Sequence, residues 1–213
     1  GAARVRPVDA GLSFLYLTRS RKSIAELVMN QYGRFQSDDV GQISEHIPKK
    51  GVVEIAFQSD PDPVLWFPLQ NGELGGYTHQ PSQEVRGMHR HNVGGVFTGS
   101  SWPVIERCIV TPGQSGADDV WLIVKRTIGG STKRYIELLT APLEDGEIED
   151  AFSVDCGLTY SGSATGTLSG LSHLEGQSVD VLATSAAGAT KVFAGLTVSS
   201  GAVTLPDSFT ATK

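Results

Sequence analysis

Cysteine is nearly missing from this chain. Two thiols, Cys108 and Cys156, among 213 residues exclude a disulfide framework. Each lies in an apolar, strand-like stretch and is expected to be a buried free thiol. Long apolar runs are missing too. None reaches the roughly 18 residues of a helical membrane span, so no membrane insertion is expected. No secretory leader is legible in the first residues. Positive charge is in deficit: 17 Lys and Arg stand against 23 Asp and Glu, a net charge of -6. That balance supplies no overall basic field for gripping nucleic acid.

Signatures of chemistry are equally scarce. Ser115, in Gly113-Gln114-Ser115-Gly116, lacks the glycine spacing of a nucleophile elbow. Gly129-Gly130-Ser131-Thr132-Lys133 has the composition of a phosphate loop. It lacks the first glycine at the right spacing, and strands flank it on both sides. Asp60 with Asp62, and Asp118 with Asp119, are neighbours in turns, whereas glycoside hydrolysis needs two carboxyls facing each other across a cleft. They are expected to be solvated turn acids. His79, His89 and His91 are the only clustered histidines. His89 and His91 flank Arg90 on one strand and so point to one face. No third ligand is fixed beside them, and they are expected to be sheet-surface histidines. No residue is assigned a catalytic, cofactor-binding or metal-binding role.

What the sequence does have is glycine (25 residues) and a recurring pattern of strand, turn and strand. Residues 14–19, with Tyr16, lead through Ser20-Arg21-Lys22 into 24–28. Residues 64–69, with Trp66, lead through Asn71-Gly72, a strong hairpin signal, into 74–78. Residues 120–126, with Trp121, lead through Gly129-Gly130 into 133–139. The strand 52–58 precedes the Trp66 unit as 104–110 precedes the Trp121 unit, and residues 84–91 complete four strands in sequence. The period is roughly 50 residues, within the range of repeat architectures. The fold class expected is mainly β. It comprises antiparallel four-stranded meanders resembling β-propeller blades, one short helix, and a small C-terminal all-β module. Tyr16, Trp66 and Trp121 share a mid-strand position and are expected in the core.

The helix is expected over residues 37–47. Ser37 is placed as its N-cap, with Asp38 and Asp39 in the first turn. Val40, Ile43 and Ile47 form one apolar stripe, and Pro48 closes it. Residues 1–12 offer no obvious first strand. The repeat is therefore expected to be entered midway, the chain to be a fragment of a longer polypeptide, and the hairpin 14–28 to be half a unit. An acid-rich linker, 141–150, is expected to divide a partial propeller-like domain, 1–150, from the C-terminal module, 151–213. Alone, that module is short enough for its core to be marginal.

Residues 120–138 (VWLIVKRTIGGSTKRYIEL), the stretch EVRGMHRH at 84–91, and the segments FSVDCGLTYSG at 152–162 and LSGLSHLEGQSV at 168–179 resemble phrases of large bacteriophage tail proteins. The family is that of the tail tubular protein B, or nozzle, proteins of short-tailed phages and related prophage tail proteins. The resemblance covers nearly all of the chain. It implies a virion component made in the bacterial host cytoplasm and built into the tail, part of the conduit for DNA ejection. It implies self-association into a ring, contacts with other tail proteins such as adaptor and fibres, and transient passage of DNA without specific binding. It implies no enzyme activity and no cofactor. Set against that resemblance, the chain is expected to lack the long N-terminal part of such proteins, which leaves assembly of this piece alone open. Two other readings stand beside it: a propeller-type module that recognises a host-surface glycan or protein, and a hydrolase acting on a cell-surface polymer.

Overall fold

The computed structural model describes residues 1–100, 102–114, 116–140 and 154–213. Ser115 and the acid-rich stretch 141–150 lie outside the described residues. Two compact units emerge, Gly1–Arg126 with Arg134–Asp155, and Thr127–Lys133 with Cys156–Lys213.

The first unit is organised by a sheet whose two central strands are buried. Its strands are β5 (Ala56–Gln58), β6 (Val64–Pro68), β7 (Leu74–Gln80) and β8 (Val85–His91), paired in sequence order. All pairings are antiparallel. Every residue of β6 is buried, which explains its uninterrupted apolar run Val64-Leu65-Trp66-Phe67-Pro68. Alternate residues serve two different cores. Leu65, Phe67 and Tyr77 face one cluster, with Leu15, Leu17 and Ile24. Val64, Trp66 and Leu74 face another, with Ile105, Cys108, Val120, Leu122 and Val124.

Those partners come from two further meanders. Strands β1 (Val8–Asp9), β2 (Phe14–Leu17), β3 (Ile24–Met29) and β4 (Phe35–Asp39) form a four-stranded sheet. Strands β9 (Val104–Pro112), β10 (Asp118–Ile128) and β11 (Ser131–Leu139) form a three-stranded one. The central sheet therefore shares one core with each of the other two meanders. Among the described residues they remain separate sheets. Gly129 and Gly130, both at positive φ, make the two-residue turn between β10 and β11. That is the backbone a tight hairpin requires, and it accounts for the glycines that mimic a phosphate loop.

Several expectations need correction. The hairpin 14–28 is not half a unit: β1 and β4 complete its sheet. The short helix expected over 37–47 is a single 3-10 turn, Gln42–Ser44, and a second 3-10 turn, Pro48–Lys50, follows it. Ser37, Asp38 and Asp39 belong to strand β4, held by its ladder to β3. Ser37 shares a 2.7 Å hydrogen bond with the Tyr16 hydroxyl, and Asp39 accepts one from Ser23. The stripe does not form, since Ile47 is buried while Ile43 is 99% exposed. Cys108 is buried, but Cys156 is half-buried in a turn at positive φ.

Trp121 also departs from its expected place. On β10 the core face is taken by Val120, Leu122 and Val124, so Trp121 lies out of phase and only half-buried. Trp66 is buried. Tyr16 is half-buried on the face of β2 opposite Leu15 and Leu17.

The second unit carries β12 (Thr167–Ser169) paired with β15 (Ala202–Thr204), and β13 (Ser178–Thr184) paired with β14 (Thr190–Thr197). Its core is small: Ala183, Phe193, Leu205 and Ala211, with Phe209 packed edge-on to Phe193.

Candidate functional site

The polar groups of the central sheet are the strongest candidates, because burial of a titratable side chain requires a partner. Sequence places His79, His89 and His91 together; the sheet separates them. On β7, odd and even positions face opposite cores. Tyr77 and His79 take one side, where His79 lies against Tyr77 and Phe57. His89 and His91, on β8, take the other and pack on Trp66 at centroid distances of 5.7 and 5.2 Å.

His79 is 2% exposed. Its Nε2 lies 3.3 Å from Ser13 Oγ and 3.3 Å from Glu26 Oε1. Arg86 approaches the other Glu26 oxygen at 3.4 Å. Ser, His and Glu in one buried cluster invite comparison with a catalytic relay. A relay needs the nucleophile on one ring nitrogen and the orienting acid on the other. Here both partners crowd Nε2, and Nδ1 has no hydrogen-bond partner among the described residues. Burial lowers the His79 pKa; Glu26 opposes this and Arg86 adds to it. A neutral ring donating from Nε2 to Glu26 satisfies the geometry. The cluster joins Ser13 and β3 to β7 and β8, as a polar seam between two sheets.

His89 Nδ1 and His91 Nε2 share a 2.7 Å hydrogen bond, and His89 Nε2 meets Thr78 Oγ1 at 3.3 Å. Burial lowers both pKa values, with the charge of His89 adding to the effect on His91. Their mutual bond occupies one lone pair that a metal would use. No group of three His, Cys, Asp or Glu side chains able to hold a metal occurs among the described residues. The expectation of sheet-surface histidines is thus corrected: His79 is buried and the pair is half-buried.

Room for the rings comes from two successive glycines. Gly75 lies opposite Phe67, and Gly76 opposite His89. A Cβ on Gly75 would come within 2.0 Å of the Phe67 ring, and one on Gly76 within 2.1 Å of His89. Trp66 completes the arrangement by donating Nε1–H to Gln58 Oε1 at 2.7 Å.

The remaining candidates take structural places. Asp118 Oδ2 accepts from the backbone N–H of Ser59 and Asp60, at 2.7 and 3.3 Å, and so fixes the β5–β6 turn. Asp60 and Asp62 are exposed. Two buried polar groups carry no sequence signal of their own. Arg126, 1% exposed, donates to Gly94 O and forms a two-pronged pair with Glu137. Glu73 is held by Lys50 and Arg90. Burial raises its pKa, but those cations and Asn71 outweigh this and lower it. The Tyr77 hydroxyl, buried without a partner among the described residues, is pushed up to about 12 by desolvation.

On the face of β2 away from the core lies a recess of about 740 Å³, lined by Arg6, Asp9, Phe14, Tyr16 and Leu27 among others. It combines aromatic surface with one group of each charge. No protein-family model and no curated protein matches the chain.

Proposed function

We propose that the chain is a structural component of a bacteriophage or prophage tail, part of the tube or nozzle through which DNA leaves, and that it is not an enzyme. The observation that carries this reading is how the buried polar groups are used. Glu26, His79, Arg126 and Trp66 tie sheet to sheet or strand to strand, and the His79 cluster lacks the geometry of a relay. Such a chain acts by shape and assembly, in a ring with copies of itself and against other tail proteins. The net charge of -6 suits a conduit, because DNA is retained by cationic contacts with phosphates. The resemblance of the segments at 120–138 and 168–179 to nozzle proteins points the same way. The test is immunogold labelling of phage particles with antibody raised against the chain. Label on the tail is expected; purified particles that carry none of the chain would reject the proposal.

A second reading, a module that recognises a host-surface glycan, is favoured by the 740 Å³ recess with Phe14 and Tyr16. A glycan array probes it. Binding that disappears on Tyr16→Ala, in a variant of unchanged stability, would establish this reading; an array without signal would remove it.

A further inference from the structure

A smaller recess of the first unit, about 390 Å³, gathers four arginines: Arg4, Arg6, Arg21 and Arg107. They arrive from three separate parts of the fold. Arg4 and Arg6 alternate with Ala3 and Val5, which pack against the core and leave the arginines on the opposite side. Arg21 sits at positive φ in the β2–β3 turn and donates Nη1–H to Val53 O at 2.9 Å. Arg107 projects from β9, donates to Glu106 O, and approaches Glu54 at 3.7 Å. Among the described residues, Glu54 is the only carboxylate of the lining. Its other oxygen accepts from the Cys108 N–H at 2.8 Å.

Among the described residues, four guanidinium groups stand against one carboxylate and make the recess strongly positive, in a chain whose net charge is -6. Arg4 and Arg6 have no ion pair among the described residues. A guanidinium fork matches the paired oxygens of carboxylate or phosphate. One carboxylate is saturated by one fork, whereas a phosphoryl group offers three terminal oxygens to several. The volume lies within the range of pockets that hold small molecules, and exceeds what a single phosphoryl group fills.

We propose that this recess binds a small diphosphate-type oxyanion, clamped by the exposed Arg4 and Arg6 against Arg21 and Arg107, which already donate to backbone carbonyls. The site is independent of the tail reading and survives or fails without it. Calorimetric titration of the whole chain with pyrophosphate, at constant ionic strength, tests it. The variant is Arg4→Gln with Arg6→Gln. Both side chains are exposed, and circular dichroism verifies that the variant is folded. Saturable binding is expected in the parent, weaker by about ten-fold for each guanidinium removed. Absent binding, or equal affinity in the folded double variant, overturns the proposal. A short DNA duplex provides the other arm. A duplex that binds through Arg4 and Arg6 while pyrophosphate does not would overturn the small-ligand site and place nucleic acid there.

Discussion

Trp66 and Trp121 stand at matching places in two meanders, yet they should respond very differently to truncation. Trp66 is 6% exposed, sits in the cluster with Val64, Leu74, Ile105 and Leu122, and packs against the His89 and His91 rings. A buried indole removes some 150–250 Å² from water, which at about 25 cal/mol per Å² gives roughly 4–6 kcal/mol as an upper estimate. Trp66→Ala also leaves the Gln58 carbonyl without its donor, an added cost of about 1–3 kcal/mol if no water replaces it. Measured truncations of buried aromatics fall near 3–5 kcal/mol, and a value of about 4–5 kcal/mol is expected here. Trp121 is half-buried on the other face of β10, so Trp121→Ala should cost about 1–2 kcal/mol. Urea denaturation followed by far-ultraviolet circular dichroism separates the two. Equal midpoints, or a larger loss for Trp121→Ala, would refute the assignment of faces on β10.

Other perturbations test other parts of the packing. Gly75→Ala drives a methyl into the buried Phe67 ring and should destabilise by about 3 kcal/mol, at the upper end of overpacking costs. Gly87→Ala on β8, where a Cβ meets open space, should be neutral or slightly stabilising in the same melts. Glu137→Gln strands the buried charge of Arg126 and should cost about 3–5 kcal/mol by thermal or urea denaturation; a loss below about 1 kcal/mol would show that Arg126 is solvated. Burial holds His79, His89 and His91 below the ordinary histidine value of 6.5. The unfolded chain then binds protons more readily than the folded one. Their contribution is complete above about pH 6.5 and is lost as the pH falls below it, by up to about 4 kcal/mol per pH unit for the three together. Glu73 and Glu106, whose values are lowered from 4.5, lose their contribution at more acid pH. A urea midpoint that does not move between about pH 7.5 and about pH 5.5 would contradict the burial of the rings.

Much of the strand order was legible because turns are local chemistry. Asn71-Gly72 and Gly129-Gly130 mark hairpins through the backbone conformation they permit, and the apolar run at 64–68 marks a doubly buried strand. The failures arise where two readings share the same residues. Ser37-Asp38-Asp39 satisfies the start of a helix, but pairing with β3 decides for strand. Trp121 and Ile123 are as apolar as Val120 and Leu122. Alternation alone therefore cannot say which set faces the core, and the partner residues Ile105 and Cys108 on β9 decide it. The separation of His79 from His89 and His91 follows from strand parity, once the ladder pairing Gly76 with His89 is known. Glu26, Arg126 and the four-arginine recess depend on contacts between residues far apart in sequence, which no local pattern records.

The double burial of β6 has a consequence for how the first unit opens. Its two faces belong to different cores, so neither outer meander has an apolar layer that is independent of the central one. Loss of β6 exposes both layers at once, and loss of either outer sheet uncovers one side of β6. The three meanders should consequently melt as one cooperative block, unlike an array whose end units peel away. Amide protons of β6 and β7 should exchange only through that global event. Those of β4, all of whose residues are exposed, should exchange by local fraying, orders of magnitude sooner.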